Sequence, residues 1–226
     1  MGIPEILYED NHIIIVNKRS SDLVQGDGTG DESLDNIVRG YIKEKYGKPG
    51  DVFLGVVHRL DRPVSGCVVY ARTSKALTRL SELFRTRDVR KSYWAIVTDR
   101  PPAEEGSLHN YLKKNEQQNK SYVYDKEVKG SKIADLSYKI LARSERYYLL
   151  EIDLQTGRHH QIRAQLAAAG CPVRGDLKYG AKRSNEGGGI SLHSRRVSFI
   201  HPVKNEEINV VAPLPDDRIW KLFKNV

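Results

Sequence analysis

Nine residues, His58-Arg59-Leu60-Asp61-Arg62-Pro63-Val64-Ser65-Gly66, lie between two short apolar runs at 52–57 and 67–71. Both runs have the length and β-branched content of strands. The charged segment between them is therefore expected as a loop at a sheet edge, held by a rigid element on each side. Pro63 fixes one backbone angle, and Ser65-Gly66 permits a tight exit. Asp61 stands among Arg59 and Arg62. Neighbouring positive charge keeps a carboxylate ionised, and an ionised, positioned carboxylate can act as a nucleophile or a base. The plainer reading of the same residues is a surface turn tied by ion pairs, most of which carry no function.

The rest of the chain alternates short strands with a few helices. Residues 6–10 and 12–18 read as two strands, followed by a polar, glycine-rich loop over 19–32. Gly26, Gly28 and Gly30 lack the spacing of a dinucleotide-binding loop, since position 31 is Asp. Ser33 is expected to cap a helix running to about Tyr46, with Leu34, Ile37, Val38, Tyr41 and Ile42 on one face. Ser74 is expected to cap a second, with Leu77, Leu80 and Phe84 as its apolar stripe. Residues 91–97 form a strand on which Lys91, Tyr93, Ala95 and Val97 share a face. Two weak strands flank a basic, amide-rich loop over 113–120, which suits a phosphate contact or an idle hairpin tip. A hairpin is expected over 134–142 and 147–154, then a helix from His159 to Ala169, strands over 190–200 and 207–211, and a short helix over 216–223. No regular β-α alternation occurs, so the expected class is α+β with a mixed, mostly antiparallel sheet.

At 226 residues the chain can bury a substantial core, and 39% apolar with 29% charged residues fits a globular protein. No stretch is long and apolar enough for a membrane span, and the N-terminus does not read as a signal peptide. Cys67 falls in an expected buried strand, as a reduced core thiol, and Cys171 lies far from it in sequence, so a cytoplasmic location is expected. The net charge of +8 is unevenly spread. Residues 1–50 carry six Lys/Arg against nine Asp/Glu; residues 72–91 carry seven against two, and 155–183 six against one. Positive charge gathered around particular segments points to a polyanion, of which nucleic acid is the commonest.

Three segments carry a resemblance. His58-Arg59-Leu60-Asp61 followed by Ser65-Gly66, then Lys91-Ser92-Tyr93-Trp94-Ala95, then Thr156-Gly157-Arg158-His159-His160-Gln161-Ile162-Arg163 are similar, in this order, to motifs of the RluA family of RNA pseudouridine synthases. The resemblance runs from about Ile6 to Pro213. It implies a single catalytic domain over 1–226, without the N-terminal RNA-binding module that many relatives carry. It also implies isomerisation of uridine to pseudouridine in ribosomal or transfer RNA, with no obligatory protein partner.

By the same resemblance Asp61 is the nucleophile, Arg163 its charge partner, and Tyr93 a stacking residue that assists proton transfer. Arg59 would fill the space left by a flipped-out base. His58 and Arg62 would hold the loop and contact RNA, while Lys91, Arg158 and Gln161 would also meet the substrate. No cofactor or metal is expected. There is no P-loop, no HExxH and no closely spaced Cys/His set, and the adjacent His159-His160 would diverge on a helix. Two positions depart from the family pattern: Val64 where Thr is common, and His159 where Thr or Ser is usual. A lost hydroxyl at position 64 would leave the loop braced differently. A catalytically silent RNA-binding protein and a base-releasing glycosidase are the competing classes. The first would be expected to have lost one of the three catalytic residues, and the second usually needs a second carboxylate that none of the motifs supplies.

Overall fold

A computed structural model describes residues 2–28 and 30–226. The chain divides into two compact units, Met1–Val89 with Ser194–Pro213, and Arg90–His193 with Leu214–Val226.

The first unit is built on β1 (Glu5–Glu9), β2 (Ile13–Lys18), β3 (Gly55–Val56) and β4 (Ser65–Ala71), with residues 194–200 of β10 (Leu192–Ile200) and with β11 (Glu207–Val211). β2 runs antiparallel to β1 and β4, and β10 antiparallel to β11. The run Ile13-Ile14-Ile15-Val16 is wholly buried, as is every residue of β4. Branched residues of this kind suit a strand covered on both faces. α1 (Leu34–Lys45) buries Leu34, Ile37, Val38 and Ile42, as the periodicity predicts. Ser33 is its N-cap, but its hydroxyl donates to Asp35 rather than capping a backbone N–H. α2 (Ser74–Thr86) is capped by Thr73, whose hydroxyl accepts the Ala76 N–H, and not by Ser74. Ala76 and Leu80 of α2 join Ile13, Ile15, Cys67, Val69, Val197 and Phe199 in one core.

The strand expected over 52–57 is reduced to Gly55–Val56, paired with Ala71 and Tyr70. β2 takes one edge of β4 along its length, and β3 shares the other with β10, which leaves room for two residues. Gly66 fits no other side chain: its φ is +111°, and a Cβ there would stand 2.3 Å from the Ser194 carbonyl oxygen.

The second unit orders its strands β5-β9-β8-β6-β7, all antiparallel: β5 (Arg90–Val97), β6 (Glu105–Asn115), β7 (Lys120–Tyr124), β8 (Lys132–Arg143) and β9 (Tyr148–Leu154). The basic stretch expected as a loop over 113–120 is mostly strand. Lys113, Lys114 and Asn115 pair with Tyr122, Ser121 and Lys120, leaving a turn over 116–119. α3 (Gln161–Ala168) starts two residues later than expected and packs Ala164 against Leu112, Ala134 and Tyr179. The closing helix shrinks to one 3₁₀ turn, Trp220–Phe223. Its two buried aromatics, three residues apart, meet Trp94, Ile96 and Leu149, and a single tight turn already puts residues at that spacing on one side.

The class is α+β, as expected. Cys67 and Cys171 are free and buried, 0% and 1% exposed, and burial pushes their thiols up to about 12 and about 11.

Candidate active site

The expected site residues fall in both units. In the first, the Asp61 segment is a loop between β3 and β4, closed by the Val64 N–H donating to the Asp61 carbonyl at 3.0 Å. Leu60 and Val64 are buried and anchor it, Asp61 is partly buried, and Arg59 and Arg62 are exposed. His58 is a fixture of the loop. Its ring stacks on Phe84 of α2 at 4.6 Å, and its Nε2 accepts the Val69 N–H at 3.0 Å, which puts the ring proton on Nδ1.

The brace under this loop comes from residues that sequence reasoning read as a strand end and a plain flexible loop. Lys18, 1% exposed at the end of β2, donates to the carbonyls of Val64 (2.6 Å), Arg62 (2.9 Å) and Arg19 (3.0 Å). The Ser21 N–H donates to the Arg62 carbonyl at 2.9 Å and the Ser20 hydroxyl to the Pro63 carbonyl at 3.1 Å. One ammonium thus gathers carbonyls from both sides of Pro63, in a chain that has Val64 in place of a hydroxyl. Burial pushes Lys18 down from 10.5 to about 8, while Asp22 and Asp61 pull it up and Arg62 lowers it further. The lone polar end of an otherwise apolar run, Ile-Ile-Ile-Val-Asn-Lys, was its sequence signal. Arg62 donates from Nε to the Ser21 carbonyl and pairs with Asp31 at 2.8 Å, with both partners about half exposed.

In the second unit, β5 presents Trp94 and Ile96 to the core with Trp220 and Phe223, so Lys91, Tyr93 and Ala95 lie on the opposite face. Tyr93 is 7% exposed and Lys91 partly buried. Lys91 is brought to the third motif: a Cβ on Gly157 would touch its Nζ at 3.6 Å.

That motif folds around Gln161. Its side-chain oxygen accepts from the Thr156 hydroxyl (2.7 Å) and the Arg158 N–H (3.0 Å), and its Nε2 donates to the Asp135 carbonyl (3.0 Å). At 3% exposure Gln161 braces the turn. Arg158 is partly buried and donates from Nε to the Ile133 carbonyl. His159 and His160 precede α3 instead of lying on it. His160 takes a left-handed φ of 53°, and the two rings stack at 3.8 Å rather than diverging. His159 bonds Ser121 and Asn119, and His160 bonds the Tyr179 hydroxyl.

Arg163, 5% exposed, donates from Nε to Asp176 Oδ2 at 2.6 Å and from Nη2 to Oδ1 at 3.0 Å, with Tyr179 stacked at 5.1 Å. Sequence reasoning missed Asp176, although it is the one acid among the six bases of 155–183. This two-point fork fixes the orientation of the Arg163 guanidinium.

Two basic side chains of α2 have partners within the protein: Arg79 donates to the Pro202 carbonyl and Arg85 pairs with Glu82. Among the described residues, no three His, Cys, Asp or Glu side chains are grouped to hold a metal, and no helix is long and apolar enough to cross a membrane.

Comparison with known proteins bears on what these parts serve. The sequence profile described as RNA pseudouridylate synthase matches residues 12–168. An uncharacterised RNA pseudouridine synthase of Synechocystis sp. is 33% identical over 214 residues, 93% of this chain and 65% of that protein. Another, of Bacillus subtilis, is 30% identical over 225 residues, 98% of this chain and 72% of that protein. Ribosomal large subunit pseudouridine synthase C of Buchnera aphidicola is 34% identical over 219 residues, 94% and 68%. The chain therefore spans 65–72% of the length of these three relatives. The solved structure of human RNA pseudouridylate synthase domain containing 4 has the same fold, with a TM-score of 0.82 at 24% identity over 97% of this chain and 92% of that one. The matched region takes in the Asp61 loop, the Tyr93 strand and the helix α3 that carries Arg163, so the chain belongs to the RNA pseudouridylate synthases, and to the RluA family among them.

Proposed function

We propose that the protein converts uridine to pseudouridine in ribosomal RNA, in the cytoplasm, with Asp61 as the nucleophile. The observation that carries this is the Asp61 loop: a carboxylate on a segment whose backbone is tied by a buried ammonium, in the first of three family motifs. Ribosomal RNA is favoured over transfer RNA because a relative such as the synthase of Buchnera aphidicola is named for the large ribosomal subunit. The two units serve one catalytic domain; the family match runs across their boundary.

In this reading the target base is turned out of its stack at a cost of a few kcal/mol, and Arg59, exposed beside Asp61, enters the vacated space. The carboxylate of Asp61 attacks an electrophilic carbon of the nucleoside or stabilises positive charge at C1′ as the N1–C1′ bond breaks. The base rotates, C5 bonds to C1′ as any bond to Asp61 breaks, and the proton lost from C5 is matched by one gained at N1, with Tyr93 stacked on the base and assisting that transfer. By the family motif Arg163 is the charge partner of Asp61. Lys91, Arg158 and Arg62 meet phosphate, while His58 and Gln161 hold the two motif loops in shape. Atoms balance without a cofactor, since the reaction is an isomerisation.

The test is tritium release from ribosomal RNA labelled at uridine C5 and taken from cells lacking the gene. Wild-type protein should release tritium without free uracil, and Asp61→Asn should release none while binding RNA as tightly. Free uracil would indicate base excision. Release by Asp61→Asn at the wild-type rate would remove Asp61 from the chemistry.

A further inference from the structure

β6 and β7 carry a face that the reaction above does not use. Leu112 and Val123 stand opposite each other and pack with Ala134 and Tyr179 in the core beneath α3. Side chains alternate along a strand, so Tyr111, Lys113, Tyr122 and Tyr124 point the other way. On that side Tyr111 is paired across strands with Tyr124, and Lys113 with Tyr122. Tyr122 and Tyr124 are 40% and 37% exposed, and the Lys120 ammonium stands between two rings, 5.6 Å from Tyr122 and 5.2 Å from Tyr179. The surface is thus a row of aromatic faces interleaved with ammonium groups. Its charge has the sign a polyanion needs: residues 109–133 hold six lysines against three acids.

The same strands are fastened to the third motif. The Ser121 hydroxyl bonds both the ring and the carbonyl of His159, and the Ser121 N–H donates to Tyr179 at 2.8 Å. Asn119 bonds His159 at 3.0 Å, and Arg158 donates to Ile133 of β8. The tyrosine row is therefore a rigid extension of the turn that leads into Arg163.

We propose that this face of β6 and β7 is a stacking platform for unpaired nucleotides of the substrate RNA. Bases lie on Tyr122, Tyr124 and Tyr111, and phosphates meet Lys113 and Lys120. Every base offers a π-face, so such a platform binds single strands with little sequence preference, and unpaired loops are where proteins commonly engage RNA bases. The proposal rests on RNA being the substrate.

The experiment measures binding of a fluorescein-labelled oligouridine strand to the full chain by anisotropy, beside tritium release from ribosomal RNA. Tyr122→Ala with Tyr124→Ala should weaken binding about a hundredfold, roughly tenfold for each base no longer stacked. KM should rise with kcat held. Tyr122→Phe with Tyr124→Phe keeps the rings and should bind within about twofold of wild type, since stacking needs no hydroxyl. Tyr122→Thr with Tyr124→Thr, which retains strand propensity, should behave as the alanine pair and guards against misfolding. Unchanged affinity and KM in the alanine and threonine pairs would overturn the platform while leaving the isomerase reading intact. Binding that depends on the tyrosines without tritium release from wild type would do the reverse. No binding of the strand by wild type would also overturn the platform.

Discussion

Replacing Lys18 with methionine isolates how the Asp61 loop is held, because the substitution keeps the apolar stem and removes only the ammonium. Two terms oppose each other. Burial has lowered the group from 10.5 to about 8, so the charged form costs the fold about 3 kcal/mol at neutral pH. Against that, the carbonyls of Arg19, Arg62 and Val64 would each lose a charged donor, at about 1–3 kcal/mol apiece. The variant should therefore be about 2–3 kcal/mol less stable at pH 7, the midpoint of the difference. The pH dependence is sharper than that sum. Between pH 8 and 10.5 the unfolded chain holds a proton on Lys18 that the folded chain has released, so the stability of the wild type gains with pH over that window. The variant has no such group. The stability gap between them should widen by about 3 kcal/mol from pH 8 to 10.5, read from urea melts at each pH. A gap that stays constant would mean Lys18 is not depressed, and a gap that narrows would mean the folded chain holds the Lys18 proton more tightly than the unfolded chain does. In tritium release, the loosened loop should lower kcat about ten- to a hundredfold, the scale of a carboxylate misplaced by about an ångström.

Two further changes test the other motif. Gln161→Leu removes the acceptor of the Arg158 N–H and leaves the buried Thr156 hydroxyl only the Asp135 carbonyl, 3.3 Å away, and should cost about 1–3 kcal/mol in urea unfolding; a loss below about 0.5 would show that the turn does not depend on it. Arg163→Lys keeps the charge but cannot form the two-point fork with Asp176. It should lower stability by roughly 2–4 kcal/mol, because a buried carboxylate is left half-satisfied. A thermal midpoint equal to that of wild type would refute that account.

Periodicity made much of the fold legible. α1, α2, the β8–β9 hairpin and the buried run of β2 each have an apolar pattern matched to one element. What failed was decided by neighbours distant in sequence. Residues 52–57 look like a strand, but they share with β10 the β4 edge they would need. Residues 113–120 look like a loop, but Lys113 and Asn115 find cross-strand partners, and β propensity depends on such partners. At the site, the motifs name Asp61, Tyr93 and Arg163 from adjacent residues alone. Lys18 and Asp176 act across 46 and 13 residues of sequence, and no local pattern announces a partner at that range.

The buried thiols bear on how the protein can be observed. Maleimides and iodoacetamides react with an accessible thiolate. Both cysteines are enclosed, and burial holds their protons on far above neutral pH. The native chain is therefore silent to these reagents, and one cysteine introduced on an exposed strand end would be the sole point of attachment for a fluorophore or spin label, with no background thiol to remove.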